Sequence, residues 1–193
     1  MSAPDDFSIR CCTLDIAEIC AARGRAPELA AAMRERGIGL PEIGRIAVGA
    51  DRFVLCIRPA RWLVMSAHDP SGARADAAAA APWRHAGDAL GASIDLSGAH
   101  TAFLLQGARS VEVLSRGCRL DLDPRVFSTG SAAATIIGQV QVLLAALPAG
   151  ILVFAPSSLA RHFRDALELA ARPSNFVPQS MISLGGLLDE NNS

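Results

Sequence analysis

The sequence predicts an α+β domain with a mainly antiparallel sheet, built from two related β–β–α units. Residues 53–66, FVLCIRPARWLVMS, align with residues 142–155, VLLAALPAGILVFA, at a constant offset of 89. The identical positions are Leu55/Leu144, Pro59/Pro148, Ala60/Ala149, Leu63/Leu152 and Val64/Val153. Each copy has the pattern of a strand, a Pro-Ala turn and a second strand, and a segment that favours a helix follows each copy. Such internal similarity indicates two copies of one supersecondary unit.

Length and composition set the expected domain organisation. With 193 residues, of which 51% are hydrophobic, the chain can bury a substantial core. We expect a single α+β domain over residues 1–172 and a C-terminal arm over residues 173–193. Charged residues make up only 19% of the sequence, below the share of about a quarter that is typical of globular proteins. This shortage predicts either a large core or a surface that a partner covers.

The charge pattern excludes nucleic acid as a partner. The formal net charge is −1, and all 18 basic residues are Arg, scattered singly along the chain without forming a basic stripe. The segment MSAPDDFSIR carries acids where a secretion signal needs positive charge. The 5 cysteines, an odd number, do not have the pattern of a secreted disulfide framework. We therefore expect a cytoplasmic protein.

The uncharged stretch from Val126 to Ala160 is long enough to raise the question of a membrane span. Gln139, Pro148 and Pro156 interrupt it, and the Pro-Ala-Gly sequence in its middle is typical of a turn. Two short buried strands joined by a tight connection explain this pattern better, so we expect no membrane span.

The elements before the middle of the chain follow from local signals. Residues 9–14 have the pattern of a strand. Residues 27–36 predict a helix, because Pro27 suits a first helical turn and Gly37 is a typical stop. The Ala-rich run after Pro70 predicts the helix that follows the first hairpin.

Two further elements are expected before the second hairpin. Residues 92–107 predict one strand on each side of Ser97-Gly98, and residues 107–118 predict a short helix that ends near Gly117. The inward side chains of this helix would be Val111, Val113 and Leu114.

The clearest helix lies in SSLARHFRDALELAAR, and Ser157 or Ser158 would cap it. Its buried stripe would consist of Leu159, Phe163, Ala166, Leu167 and Ala170. The pairs Arg161–Asp165 and Arg164–Glu168 would face water as ion pairs four residues apart.

The C-terminal segment after Arg172 does not continue this helix, because prolines and a Gly pair interrupt it. It is nevertheless too apolar for an ordinary disordered tail. The segment is either a frayed terminus or an arm that orders on another chain. Its candidate partner-contact residues are Phe176, Met181, Ile182, Leu187 and Leu188.

The sequence contains no motif that predicts catalysis, a cofactor site or a metal site in this chain. The histidines His68, His85, His100 and His162 do not stand at the spacings of a zinc site. No Gly-x-Ser-x-Gly nucleophile motif and no glycine-rich phosphate loop between a strand and a helix occur. We therefore expect neither a flavin fold nor a nicotinamide fold.

The segment SRGCRLDLDPRVFSTG is the strongest remaining candidate for chemistry. Cys118 follows the end of a predicted helix, where the helix dipole disfavours a thiolate. Asp121 and Asp123 could bind a cation, but the loop lacks the further oxygen ligands and the glycine spacing of a calcium site. We expect this segment to build a turn into the next strand. A thiol enzyme that uses Cys118 or the pair Cys11–Cys12 is the less favoured alternative.

The same region resembles the gamma subunit of heterotetrameric sarcosine oxidase. The resemblance covers about residues 45–171, and RPARWLVM and SSLARHFRDAL contribute to it on either side of the central motif. The matching residues of the central motif are Asp95, Leu96, Ser97, Thr101, Leu105, Gly107, Ala108, Arg109, Val113, Leu114, Gly117, Cys118, Leu120, Asp121, Leu122, Pro124, Phe127, Gly130 and Thr135.

This resemblance implies a fold like the folate-binding domain of the glycine cleavage aminomethyltransferase. It implies alpha, beta and delta subunits as partners, and it places FAD, FMN, NAD, tetrahydrofolate and zinc on those partners. It also implies that this chain is a structural subunit, in a complex that oxidatively demethylates sarcosine or a related N-methyl amino acid. Between Asp123 and Asp165 the sequence has no carboxylate to meet a folate. The alternative function is a free-standing folate or one-carbon binding protein of the same superfamily.

Overall fold

The computed structural model describes residues 7–49, 51–68, 90–172 and 177–178. The chain divides into two compact units: a central unit, Leu14–Gly98, and a split unit, formed by Met1–Thr13 together with Ala99–Ser193. That residues 1–172 behave as a single domain stays a prediction. The described elements are, in chain order, β1 (Ser8–Cys12), β2 (Leu14–Ala21), α1 (Ala26–Arg34), β3 (Arg45–Val48), β4 (Arg52–Arg58), β5 (Arg61–Ala67), β6 (Gly91–Asp95), β7 (His100–Gln106), α2 (Ser110–Ser115), β8 (Ala132–Ile137), β9 (Val140–Leu147), β10 (Gly150–Pro156), α3 (Ala160–Ala171) and β11 (Val177–Pro178).

Each unit contains one sheet. The sheet of the split unit has the strand order β11-β1-β7-β10-β9-β8, and that of the central unit has the order β3-β4-β5-β2-β6. All the pairings are antiparallel except that between β1 and β11. The predicted α+β class with mainly antiparallel sheet is therefore confirmed.

The repeat is larger than the two hairpins that reveal it in the sequence. In both units a first strand (β2 or β7) is followed by a helix (α1 or α2) and by three antiparallel strands. The third of those strands then pairs with the first strand of its unit. The strand on the far side of the first strand is β6 in the central unit but β1 in the split unit. The two units thus share one strand order but complete it with strands from different places in the chain.

Each sheet packs one face against its own helices. In the split unit, Val113 and Leu114 of α2 and Phe163 of α3 lie in one buried cluster with the odd-numbered residues of β7 and β10. In the central unit, Leu29 and Met33 of α1 pack with the corresponding face of β2, β4 and β5. Both cores follow from the period-2 alternation of the strands.

The two Pro-Ala hairpins are present, and a bulge distinguishes them. In β4 the register shifts between Leu55 and Arg58, whereas the pairing of β9 with β10 is regular. Leu55 lies opposite Leu63, but the sequence equivalent of Leu63 lies opposite Ala145 and not opposite Leu144. The sequence identity Leu55/Leu144 is therefore not a structural equivalence, because the bulge inserts one extra residue into β4.

The segment around residues 9–14 differs from its prediction. A single strand was expected there, but β1 ends at Cys12 and β2 begins at Leu14 in the other sheet. The strands on either side of Ser97-Gly98 are present, and they too belong to different sheets. The Ala-rich helix expected after Pro70 lies outside the described residues.

The predicted helices that fall within the described residues are present with small shifts. The first begins at Ala26 with Pro27 in its first turn, and Gly37 follows its end with a φ of 74°. In α2, Val113 and Leu114 are buried and Val111 is partly buried, as expected.

The last helix corrects two expectations. Ser157–Leu159 forms a 3-10 helix, α3 begins at Ala160, and no side chain caps it. Leu159 is 41% exposed and Ala166 is exposed, so neither belongs to the buried stripe. The tighter 3-10 turn rotates Leu159 away from that stripe, which consists of Phe163, Leu167 and Ala171. Of the two predicted ion pairs, Arg164–Glu168 forms, at 2.8 Å.

The long uncharged stretch forms β8, β9 and β10. Within the described ranges, no helix combines the length and the apolar character that crossing a membrane requires.

Candidate functional site

Cys118 joins the end of α2 to the edge of the sheet. Its backbone N–H donates to the carbonyl of Leu114 at 2.9 Å, and the residue forms an isolated antiparallel bridge with Ile137. Its Sγ lies 3.9 Å from Oγ1 of Thr135 on the same edge strand. The backbone of Cys118 is thus held by α2 and by β8, and its half-buried thiol contacts Thr135.

The aspartates that follow hold the turn itself. The Asp121 carboxylate accepts the N–H of Asp123 at 2.9 Å, and the Asp123 carboxylate accepts the N–H of Arg125 at 2.9 Å. The Arg125 guanidinium also donates to Asp123 at 2.7 Å and lowers the pKa of its carboxyl group. Both carboxylates therefore stabilise two successive turns by local hydrogen bonds. In the described part of the chain, no group of three or more His, Cys, Asp or Glu side chains could hold a metal ion.

The thiols of the N-terminal pair are poorly suited to nucleophilic chemistry. Burial is the main cause that raises the pKa of Cys12 to about 12, and the neighbouring Cys11 adds to the shift. Burial also raises the pKa of Cys11, against the opposing effect of Arg164. A nucleophilic cysteine needs the opposite shift, because the thiolate is the reactive form.

The three histidines that the structure describes do not converge. His162 is exposed on α3, His100 is half-buried on β7, and His85 lies outside the described residues. His68 follows β5, and its Nδ1 lies 2.7 Å from Oδ1 of Asp15.

Sequence reasoning missed this last pair. Asp15 is only 4% exposed in β2, and it lies directly opposite Ser66, whose buried hydroxyl has no hydrogen-bond partner in the structure as described. The one available signal was the acid itself, inside the strand LDIAEICA. The contact with His68 could not be found locally, because 53 residues separate the two.

Described residues of the split unit line two of its cavities. One, of about 170 Å³, lies between α2, α3 and the turn that joins β8 to β9. The other, of about 420 Å³, is shallower and lies between the Asp121–Gly130 loop and the second hairpin turn. Neither is lined by an Asp or a Glu. Both therefore lack the acid that a pterin amine would need as its polar anchor.

The predicted partner-contact residues, Phe176, Met181, Ile182, Leu187 and Leu188, lie outside the described residues. The arm is nevertheless placed at one point, because Val177–Pro178 pairs in parallel with Ser8 and Ile9 of β1.

Comparison with known proteins supports the resemblance that the motifs indicate. No family model matches the chain. Among curated proteins, the sarcosine oxidase subunit gamma of Arthrobacter sp. is 36% identical over 118 residues. The match spans 60% of this chain and 54% of that protein, which is about half of the relative's length.

Solved structures agree on the fold. A chain of the heterotetrameric sarcosine oxidase from Corynebacterium sp. U-96, in complex with pyrrole 2-carboxylate, superposes with a TM-score of 0.73 at 24% identity, covering 90% of this chain and 88% of that chain. The glycine cleavage system aminomethyltransferase T from Bartonella henselae superposes with a TM-score of 0.62 at 14% identity, covering 93% of this chain and 48% of that chain. The predicted similarity to the sarcosine oxidase gamma subunit is thus confirmed in sequence, and the aminomethyltransferase-like fold is confirmed in structure.

Proposed function

We propose that this chain is a non-catalytic structural subunit of a heterotetrameric sarcosine oxidase-type complex, which oxidatively demethylates sarcosine or a related N-methyl amino acid. The observation that carries the proposal is the 36% identity over 118 residues to a sarcosine oxidase subunit gamma. The partners would be the alpha, beta and delta subunits, in the cytoplasm. FAD, FMN, NAD, tetrahydrofolate and zinc would be bound by those partners.

The chemistry of the described residues supports a structural role. The acids of the motif loop are used in the loop's own turns. Burial raises the pKa of the Cys12 thiol and so suppresses its nucleophilic form. These candidate catalytic groups therefore have structural roles in the fold.

Co-expression with the other three subunits tests the proposal. A tagged copy of this chain should retain all three through size-exclusion chromatography, and the purified complex should oxidise sarcosine. Omission of this chain should lower the yield of assembled complex. A chain that stays a monomer in the presence of the other subunits would contradict the proposal.

The fold shared with the aminomethyltransferase over 93% of the chain favours a second candidate, a free-standing folate or one-carbon binding protein. Fold alone does not fix function, and neither cavity offers a carboxylate. Calorimetric titration of the isolated chain with tetrahydrofolate separates the two functions. Micromolar binding would favour this candidate, and heats no larger than those of dilution would favour the structural subunit.

We further propose that the arm docks on another subunit through Phe176, Met181, Ile182, Leu187 and Leu188. Five large apolar side chains in one short segment favour burial against a partner over contact with water. Truncation after Pro178 keeps β11 and should preserve folding while weakening assembly. Truncation after Arg172 also removes the pairing with β1, so comparing the two variants separates docking from folding. Unchanged assembly of the chain that ends at Pro178 would exclude Met181, Ile182, Leu187 and Leu188 as contacts.

A further inference from the structure

The smaller cavity of the split unit is an apolar groove of defined size. Its volume is about 170 Å³, and Val113, Ile137, Val140, Phe163 and Leu167 contribute apolar walls. Phe163 is 1% exposed and Leu167 is 2% exposed, so the core itself fixes two of these walls. A cavity of about 150 Å³ accepts one benzene molecule. The groove can therefore receive one aromatic or branched aliphatic side chain.

The mouth of the groove carries the guanidinium of Arg116 and no acidic lining residue. Arg116 donates to Oε1 of Glu112 at 2.7 Å and to the carbonyl of Ala170, which ties α2 to α3. Arg109 donates to the same carboxylate at 2.8 Å. The two guanidinium groups hold the pKa of Glu112 at about 2, so the carboxylate stays ionised at neutral pH. Of these three side chains, only that of Arg116 lines the groove.

The other polar groups at the mouth add donors and no acid. Gln139 and His162 line the groove with exposed side chains, and the lining contains neither Asp nor Glu. Ala166, between His162 and Ala170 on the same helical stripe, is small enough to leave the entrance open. Leu169, three residues beyond Ala166, is 61% exposed. The surface therefore combines an apolar groove, an exposed apolar neighbour and the Arg116 guanidinium at the rim.

We propose that this groove is a docking site for another subunit of the complex, which inserts one large apolar side chain flanked by a carboxylate. The apolar side chain fills the groove, and the carboxylate meets Arg116 and the donors of His162 and Gln139. An anchor in a desolvated pocket with a complementary charge at its rim has the form of an interface hot spot. The inference rests on the proposed function for the identity of the partner.

Blocking the entrance of the groove tests whether an apolar side chain of the partner inserts there. Ala166→Trp places an indole at the mouth from an exposed helical position, so the core should remain intact. The matched control is Ala31→Trp, which makes the same change at an exposed alanine of α1. In titrations of the isolated chain into the other three subunits, we expect at least tenfold weaker assembly for A166W and less than a twofold change for A31W. Equal affinity of A166W and the wild-type chain would overturn the proposal.

Adding a negative charge at the rim of the groove tests whether the partner presents a carboxylate there. His162→Glu should weaken assembly about threefold at low salt, and the effect should shrink at 0.5 M salt because exposed charges are screened. His162→Gln, which keeps a polar side chain without the negative charge, should stay within twofold of the wild-type chain. A glutamate variant that assembles as tightly as the glutamine variant would remove the acidic flank from the proposal.

A small-molecule probe of the isolated chain distinguishes a failure of the groove proposal from a failure of the proposed function. 1-Anilinonaphthalene-8-sulfonate presents an aromatic ring beside an anion and should bind the isolated wild-type chain at a single site. A166W should lower this affinity at least fivefold, whereas A31W should not. If the wild-type chain fails to assemble while the probe distinguishes the variants, the proposed function fails and the groove remains a site for this chemistry. If the probe does not distinguish them, or if A166W dissociates a dimer of the isolated chain, the partner-docking site is excluded.

Discussion

The central and split units hold equivalent positions with different chemistry. In the split unit the Thr101 hydroxyl lies 3.3 Å from the Ser157 hydroxyl, just before α3. In the central unit the corresponding pair is Asp15 with His68, at 2.7 Å. The equivalence follows from register, since Thr101 lies opposite Ala155 and Asp15 lies opposite Ser66, two residues before the partner in each case. A repeated backbone can thus keep a cross-strand contact while exchanging neutral groups for a buried acid and an imidazole.

The two hairpin turns also differ at equivalent positions, here in the backbone. Ala60 has a φ of 57° in the first turn, whereas the second turn has its positive φ one position later, at Gly150, with a value of 139°. The residue equivalent to Gly150 is Arg61. A side chain is possible there only because the strand backbone differs, since a Cβ on Gly150 would lie 2.2 Å from the carbonyl oxygen of Leu105. Similar sequences around a Pro-Ala turn therefore do not imply interchangeable turns.

The largest expected effect concerns the helix-to-sheet packing of each unit. Phe163 is 1% exposed, and its ring centroid lies 5.7 Å from that of Phe103. Phe163→Ala should lower the free energy of unfolding by about 3–5 kcal/mol, measured by urea denaturation. Leu169→Ala, on the exposed side of the same helix, should change it by less than about 0.5 kcal/mol.

The corresponding change in the central unit sharpens this test. Met33 of α1 is fully buried, and Met33→Ala should cost about 2–5 kcal/mol. If both substitutions shift one common transition, the units unfold together and residues 1–172 behave as one domain. If each shifts a separate transition, the prediction of a single domain is wrong.

The next effect concerns the second hairpin turn. Gly150→Ala should cost about 2–3 kcal/mol, because the added Cβ meets the backbone of Leu105 and φ is unfavourable for any other residue. Gly98→Ala is the matched control, since no atom lies within 4 Å of its added Cβ. Thermal denaturation of the two variants gives the comparison. A G150A protein as stable as G98A would show that the turn can adopt the geometry seen around Arg61.

The third effect is a loss of stability at high pH that Cys12 should dominate. The chain has neither Lys nor Tyr, so its thiols are the main side chains that titrate between pH 9 and 12. The pKa of Cys12 rises from 9.0 to about 12 in the folded state, since burial disfavours the thiolate. Its stabilising contribution is therefore complete below pH 9 and is lost as the pH rises towards 12.

At pH 10 this loss amounts to about 1.4 kcal/mol relative to pH 8. Cys12→Ala should remove that part of the pH dependence, whatever its cost at neutral pH. The control is Cys56→Ala in the central unit, where burial also raises the thiol pKa, against the opposing effect of a hydrogen bond with the Arg58 backbone. Parallel stability curves of C12A and the wild-type protein between pH 8 and 10 would contradict the assignment.

Local sequence signals predicted the parts of the fold that local geometry decides. Three features each depend on residues close in the chain: the turns at Pro59 and Pro148, the start of α1 next to Pro27 and the turn-forming role of Asp121. The division between β1 and β2 could not be predicted, because one residue, Thr13, separates strands whose sheets are set by distant pairings. A hydrophobic pattern specifies that a segment is a strand and does not specify its neighbours.

For the candidate site too, local features could be predicted from the sequence and features that depend on distant contacts could not. The turns after Cys118 were predicted, and Asp121 and Asp123 hold them by hydrogen bonds to backbone N–H groups two residues further on. The groove beside α3 was missed, because it depends on how far α2 and α3 stand apart and on Ala166 being exposed. The 3-10 helix that rotates Leu159 outward has no distinct sequence signal, and it also altered the predicted stripe.

The smallest expected effect is the energetic coupling within the pair that distinguishes the units. Asp15 is buried, but the His68 side chain is 46% exposed, so water weakens the interaction. A double-mutant cycle with Asp15→Asn and His68→Gln should give a coupling of about 1 kcal/mol. The same cycle with Thr101→Val and Ser157→Ala should give less than about 0.5 kcal/mol, because its groups are neutral and exposed.

A second test replaces the Asp15–His68 pair by the residues of the other pair. The double substitution Asp15→Thr and His68→Ser should lower the free energy of unfolding less than Asp15→Thr alone, since no histidine then remains beside a missing acid. If the double variant is the less stable of the two, the pairs are not equivalent and the comparison between the units fails at this position.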